Sequence, residues 1–268
     1  MSEITQSFYL YRNAWISSPH NDKRLTDCQC DELLSKGGWL VRNTYGFDQK
    51  EPSDFWYIIK DSFGGMAEHT SNERRKIRKA LKSFDYRIVN IQTIAENGLE
   101  IIKSALEHYP VKDRTMNKKI FQGLLDSWSV DNHDFWGAFD KANGRLIGFI
   151  VVQLYDNACF YDLVMVHPNY KHNATYPYYG FFYSLNEYYL GEKKYRYVTD
   201  GSRSITEHSN IQPFLEHVFK FRKAYCKLKI YYKWWFGIVV RILYPFRNVI
   251  PNRSVRAVLM MHGMQTKD

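Results

Sequence analysis

The order of periodicities along the chain predicts an α+β fold: a mixed, mostly antiparallel sheet flanked by helices, with an N-terminal extension and an apolar C-terminal helix. Three observations predict it. The runs DFWGAFD, RLIGFIVVQLYD and ACFYDLVMVHP have strand composition and follow one another across short turns at KANG and at Asp156-Asn157, as in an antiparallel meander. Downstream, YRYVTD, NIQPFLEHVF and FRKAYCKLKIYYK read strand, helix, strand, and such a step needs a parallel crossover. Finally, 45% hydrophobic residues in a chain of 268 suffice for a sizeable core, whether as one domain or as a domain with a smaller lobe.

Taken in order, the first forty residues read as polar and irregular. They lead into KGGWLVRNTYGFDQKEPSD, whose Gly and Pro mark a connector. FWYIIKD (Phe55 to Asp61) has strand composition. SNERRKIRKALKSF (Ser71 to Phe84) reads as a helix with Ser71 as N-cap. YRIVNI (Tyr86 to Ile91) follows as a strand, then helices near Ile94 to Tyr109 and Asn117 to Trp128. After the meander, an aromatic helix runs through Tyr178 to Leu190. The tail WWFGIVVRILYPF (Trp234 to Phe246) is a 13-residue apolar helix, too short to cross a bilayer. It packs over the domain or a dimer partner, or else lies in a membrane interface with Lys233, Arg241 and Arg247 meeting lipid phosphates.

A formal net charge of +9 favours anionic partners: nucleic acid, anionic lipid or a phosphate-bearing co-substrate. Four cysteines, Cys28, Cys30, Cys159 and Cys226, are too few and scattered for a disulfide framework or a four-ligand zinc site. The N-terminus MSEITQSFYLYRNAW lacks the basic start and apolar run of a signal peptide, so the expectation is cytoplasmic, or peripheral at the inner face of the membrane. His167 and His172 have no metal-binding spacing, and no metal is expected.

Three segments in the right order carry a family resemblance. GRLIGFIVVQLYD resembles the second meander strand of GNAT acyltransferases, LVMVHPNYK the end of their fourth strand, and NIQPFLEHVFKFRKAY the segment after their fifth. The basic pattern from Arg75 to Lys82 is similar to FemAB-type relatives, which transfer amino acids from aminoacyl-tRNA. The resemblance implies a GNAT-like acyltransferase domain over residues 85–233, preceded by an extension or partial lobe over 1–84 and followed by the apolar, basic tail 234–268. It further implies acyl transfer from acetyl-CoA or another acyl-CoA to a small-molecule or peptide amine. The alternatives are a FemAB-like aminoacyltransferase using tRNA, or an inactive binding module that keeps only the fold.

By the same resemblance, the donor lies between the splayed fourth and fifth strands (Phe160 to Val166 and Tyr195 to Asp200), with the strand backbone at Val164 and Val166 holding it. Its pyrophosphate would meet the next helix, as free N–H groups at a helix N-terminus bind anions. The family's glycine-rich loop there is replaced by NYKHNATYPYYG. Lys171, His172, Asn173 and Thr175 then bind coenzyme A in another geometry, or the donor is not coenzyme A, or the site is inactive. Asn210 opens the helix that closes the site.

For the chemistry, Asp162 and Asp200 are the candidate bases, since a buried carboxylate has a raised pKa suited to taking a proton from an amine. The family's acid, a Tyr, is absent; Glu216 stands in its place with His217 beside it as a substitute. Tyr161, Ser202 and Arg203 are candidate substrate contacts. Arg203, in the DGSRS stretch, either clamps a carboxylate or phosphate or bonds loop carbonyls. The helix bearing Arg74, Arg75, Lys76, Arg78, Lys79 and Lys82 either grips tRNA phosphates or is a solvated face.

Overall fold

The computed structural model describes residues 8–17, 23–108, 115–130, 132–155, 157–171, 174–205 and 210–266. The fold is mixed α+β and forms two compact units. The first comprises residues 1–58, 202–207 and 223–268, and the second residues 59–201 and 208–222.

The first unit opens with strands β1 (Phe8–Tyr11) and β2 (Ala14–Ser17), a tight hairpin whose turn residues Arg12 and Asn13 both have positive φ. Helix α1 (Asp27–Ser35) follows, and then β3 (Leu40–Gln49). The expectation of an irregular first forty residues and a connector is thus corrected. Phe8, Trp15, Leu25, Cys30, Leu33, Leu34 and Val41 close into a core of their own. Asn43 is fully buried and its side chain is satisfied: it accepts from the Leu25 N–H at 2.9 Å and donates to the Lys23 carbonyl at 3.0 Å.

Strand β4 (Trp56–Lys60) carries the chain into the second unit. There helix α2 (Ser71–Ser83) is capped by Thr70 rather than Ser71. The Thr70 hydroxyl accepts from the Glu73 N–H and the Glu73 carboxylate accepts from the Thr70 N–H, a reciprocal box that satisfies two end donors. Strand β5 (Phe84–Val89), helices α3 (Ile91–Glu107) and α4 (Lys118–Val130), and strands β6 (His133–Asp140), β7 (Leu146–Tyr155) and β8 (Ala158–Val166) come next. The short helix α5 (Pro168–Lys171) precedes α6 (Pro177–Asn186), which continues to Glu192 as a π-helix. Strand β9 (Tyr197–Ser202) and helix α7 (Ile211–Phe219) complete the unit.

Strands β6 to β8 form the expected antiparallel meander, β5 pairs antiparallel with β6 at its edge, and β8 pairs with β9 in parallel. The apolar faces of α3 and α4 bury Ile94, Ile101, Ile102, Phe121, Leu125 and Trp128 against Phe135, Phe149 and Val151 of the meander.

The last strand, β10 (Arg222–Tyr232), runs antiparallel to β3 in the first unit. Helix α8 (Trp234–Leu243), a 3₁₀ turn at Tyr244–Phe246 and helix α9 (Arg253–Gly263) end the fold. No helix of the described residues is long and apolar enough to cross a membrane.

Candidate functional site

In the second unit, the parallel register between β8 and β9 covers only Ala158 with Tyr197, Cys159 with Val198 and Phe160 with Thr199. Beyond that point β8 runs on to Val166 and β9 to Ser202, with no further paired residues between them. Gly201 sits where the two part. Its φ of +93° is a region L side chains rarely adopt, and an added Cβ would stand 2.9 Å from the Phe160 ring. The glycine of DGSRS is therefore required twice over.

Asp200 precedes it in β9. It is half-buried, and burial drives its pKa from 3.8 up to about 7, while a hydrogen bond from the Gln212 side chain opposes that rise. Gln212 is itself buried, in the first turn of α7. The sequence singled out Asp200 but not Gln212. A glutamine at the second position of an amphipathic helix carries no recognisable signal.

On β8, Asp162 is the extra residue of a β-bulge: Leu163 pairs with Val151 and Tyr161 with Val152, which leaves Asp162 unmatched. The alternation that would place Asp162 on one face with Phe160 and Val164 is broken there. Asp162 retains an exposed surface, but its Oδ2 accepts from the Trp128 indole at 3.2 Å. Its pKa is raised by desolvation, partly offset by that bond and by His133. Tyr161 is buried, and its hydroxyl donates to Asn186 Oδ1 at 3.0 Å. Val164 and Val166 pair with Ile150 and Gly148 of β7, so they lie on the length of β8 beyond the end of its pairing with β9.

At the start of α6, Tyr176 is left-handed and Pro177 supplies no N–H. Tyr86 packs flush on this turn, its hydroxyl donating to the Pro177 carbonyl at 3.0 Å. An added Cβ on Gly180 would stand 2.2 Å from that hydroxyl, so the single glycine of NYKHNATYPYYG serves packing. The Lys76 ammonium lies 5.5 and 5.1 Å from the Tyr176 and Tyr179 ring centroids and 3.2 Å from the Tyr179 hydroxyl. Thr175 donates to the Tyr170 carbonyl at 3.3 Å. Lys171 ends α5, and His172 and Asn173 lie outside the described residues.

On α7, Asn210 is the N-cap residue and makes no side-chain capping bond, although its carbonyl accepts from the Phe214 N–H at 3.1 Å. His217 is exposed in the last turn, where its carbonyl accepts from Lys220 Nζ.

In the first unit, Ser202 and Arg203 follow directly. The Arg203 side chain bonds a loop carbonyl, its Nη1 donating to Asp54 O at 2.7 Å, and its backbone N–H donates to the carbonyl of Trp56 in β4 at 2.8 Å. It also lines an open cavity of about 520 Å³ with Ser53, Trp56, Lys223 and Tyr225. The Lys223 ammonium stands 5.2 Å from the Trp56 ring centroid. Two cations beside two aromatic rings suit an anionic group carried on a flat or apolar body.

No protein-family profile matches the sequence, and no curated protein sequence matches it. Solved structures do. FemX is similar at 11% identity and a TM-score of 0.50, over 66% of this chain and 60% of that one, so the chain spans less than two thirds of FemX. L-PGS from Bacillus licheniformis is similar at 10% identity and a TM-score of 0.50, over 97% of this chain and 85% of that one. A shorter match, at 20% identity and a TM-score of 0.27 over 42% of this chain and 70% of that one, is the PaiA N-acetyltransferase of Thermoplasma acidophilum in complex with coenzyme A. At these identities the likeness to FemX and L-PGS is one of fold alone.

Proposed function

We propose that the protein is an acyltransferase that moves an acyl group from acyl-CoA to an amine, with Asp200 as general base. The observation that carries this reading is the divergence of β8 from β9 after Phe160, with a carboxyl of pKa about 7 on the diverging strand. A base titrating near neutrality is deprotonated often enough to act and basic enough to take the proton that the amine nitrogen gives up as it attacks. In the reaction the amine nitrogen attacks the thioester carbonyl, the Asp200 carboxylate takes the amine proton, and the C–S bond breaks to release the thiolate. The length of β8 around Val164 and Val166, paired with β7 on one side but not with β9 on the other, offers backbone groups to the donor. Calorimetric titration with acetyl-CoA and longer acyl-CoAs tests this; no binding even at millimolar concentration sinks it.

A second reading, transfer of an aminoacyl group from tRNA, is favoured by α2. Arg75, Arg78, Lys79 and Lys82 are exposed along it, and such cations bind nucleic-acid phosphates with a strong salt dependence. The first turn of α6 supports it too, since Tyr176, Pro177 and Tyr86 leave no glycine cradle for a pyrophosphate there. Aminoacyl-tRNA binding that weakens steeply with salt, with no acyl-CoA binding, would establish this donor in place of the first.

A further inference from the structure

We propose that helix α8 docks the protein onto an anionic lipid surface. The observation is an apolar face turned to solvent. Trp234 is 79% exposed and Ile242 62%, with Trp235, Ile238 and Val239 also exposed. At about 100° per residue these five side chains span one arc of roughly 140° on the helix. The opposite arc holds Gly237 and the buried Val240, so the helix already has a core-facing side. Of the outer side chains Trp235 packs along one edge on Trp39, while Trp234, Ile238, Val239 and Ile242 stay exposed. The face continues past the helix through Phe246 and Val249, 57% and 76% exposed.

The helix is fixed from beneath. Trp39 packs on Trp235 and Phe236 with ring centroids 5.7 and 5.4 Å apart. Gly237 lets the backbone close on Tyr232, where an added Cβ would meet the Tyr232 Cβ at 3.3 Å. The outer face is thus presented on a rigid support, and its solvent-facing side chains can leave water only by entering another phase or partner.

Charge identifies that phase. From His217 to Lys267 the chain holds eleven Lys or Arg and no Asp or Glu. Arg241 lies at the edge of the apolar arc on α8, exposed, and Arg253 is exposed at the start of α9. A two-fold dimer through this face would set each cation against its own copy, and like charges across an interface oppose association. Anionic headgroups neutralise the same cations while the acyl boundary takes Trp234, Ile238 and Ile242, the arrangement of an interfacial helix.

The experiment is sedimentation of the full-length protein with vesicles of phosphatidylcholine and phosphatidylglycerol, and with vesicles of phosphatidylcholine alone. The expected result is binding to the anionic vesicles at least tenfold stronger than to neutral ones, weakening as salt rises. The triple variant Trp234→Ser, Ile238→Ser, Ile242→Ser loses at least tenfold in partitioning with unchanged circular dichroism, because none of the three side chains is buried. Arg241→Gln weakens anionic binding without changing the apolar face. Absence of binding to either vesicle, equal binding to both, or a dimer in solution that the triple variant dissociates would each overturn the proposal.

Discussion

The side chain of Gln212, buried at the start of α7, hydrogen-bonds the carboxyl of Asp200 on β9. The bond favours the charged carboxylate and so counteracts burial, which favours the protonated form. Between them the two set a base near neutrality.

Removing that base should be costly. Asp200→Asn is expected to lower kcat/KM by about 10²–10⁴-fold, the usual contribution of a positioned general base. In the wild type kcat/KM rises with pH through about 7 as Asp200 loses its proton. Gln212→Leu removes a bond to the charged form, so the same rise moves to higher pH. A pH–rate series on the two variants and the wild type reads both effects.

The same carboxyl links stability to pH. Its pKa is 3.8 in an unperturbed chain and about 7 in the fold, so in that interval the folded state holds the proton that the unfolded state releases. Stability contributed by the protonated Asp200 is complete below the lower value and is lost as pH rises through the upper one. Asp200→Asn removes this dependence, so the variant gains on the wild type as pH rises from mildly acidic to mildly alkaline. Urea unfolding at the two ends of the range measures it.

A second buried ionic group should behave in the opposite sense to a packed core. The Lys60 ammonium, 2% exposed, lies 2.9 Å from Glu68 Oε2, and the other Glu68 oxygen faces His69 Nε2 at 3.6 Å. His69 Nδ1 sits 3.0 Å from the Val218 carbonyl, which places a proton on Nδ1 and leaves Nε2 as an acceptor beside the carboxylate. Desolvation lowers the His69 pKa, with Glu68 and Glu73 opposing it. Lys60→Met strands the Glu68 charge and is expected to cost about 3–5 kcal/mol, whereas Lys60→Met with Glu68→Leu recovers most of it. Equilibrium denaturation of the single and double variants decides.

The first turn of α6 is closely packed. Gly180→Ala places a methyl group within the Tyr86 ring contact and is expected to cost about 1–3 kcal/mol. Tyr86→Phe, which loses only the bond to the Pro177 carbonyl, costs about 0.5–1.5 kcal/mol. Thermal melts of both variants check the order.

The segments legible in the sequence were those whose period is long and clean. The meander β6–β8 and the helix from Ile211 follow from alternating or helical apolar runs. The first unit was not legible because β1 and β2 are only four residues each and β3 hides its partner-facing positions among Arg42, Asn43 and Thr44. One signal was available there: Thr26-Asp27-Cys28-Gln29 has the spacing of a capping box, and both of its bonds are formed at the start of α1. At the site, Asp200 and Arg203 could be picked out as polar residues at a strand end. The bulge at Asp162 could not, since register depends on the neighbouring strand.

The most direct test is the rate of acetyl transfer from acetyl-CoA to a panel of amines, measured across neutral pH for the wild type and Asp200→Asn. The proposal expects transfer that rises with pH through about 7 in the wild type and is nearly abolished in the variant. Equal rates and the same pH profile in the two proteins would contradict it.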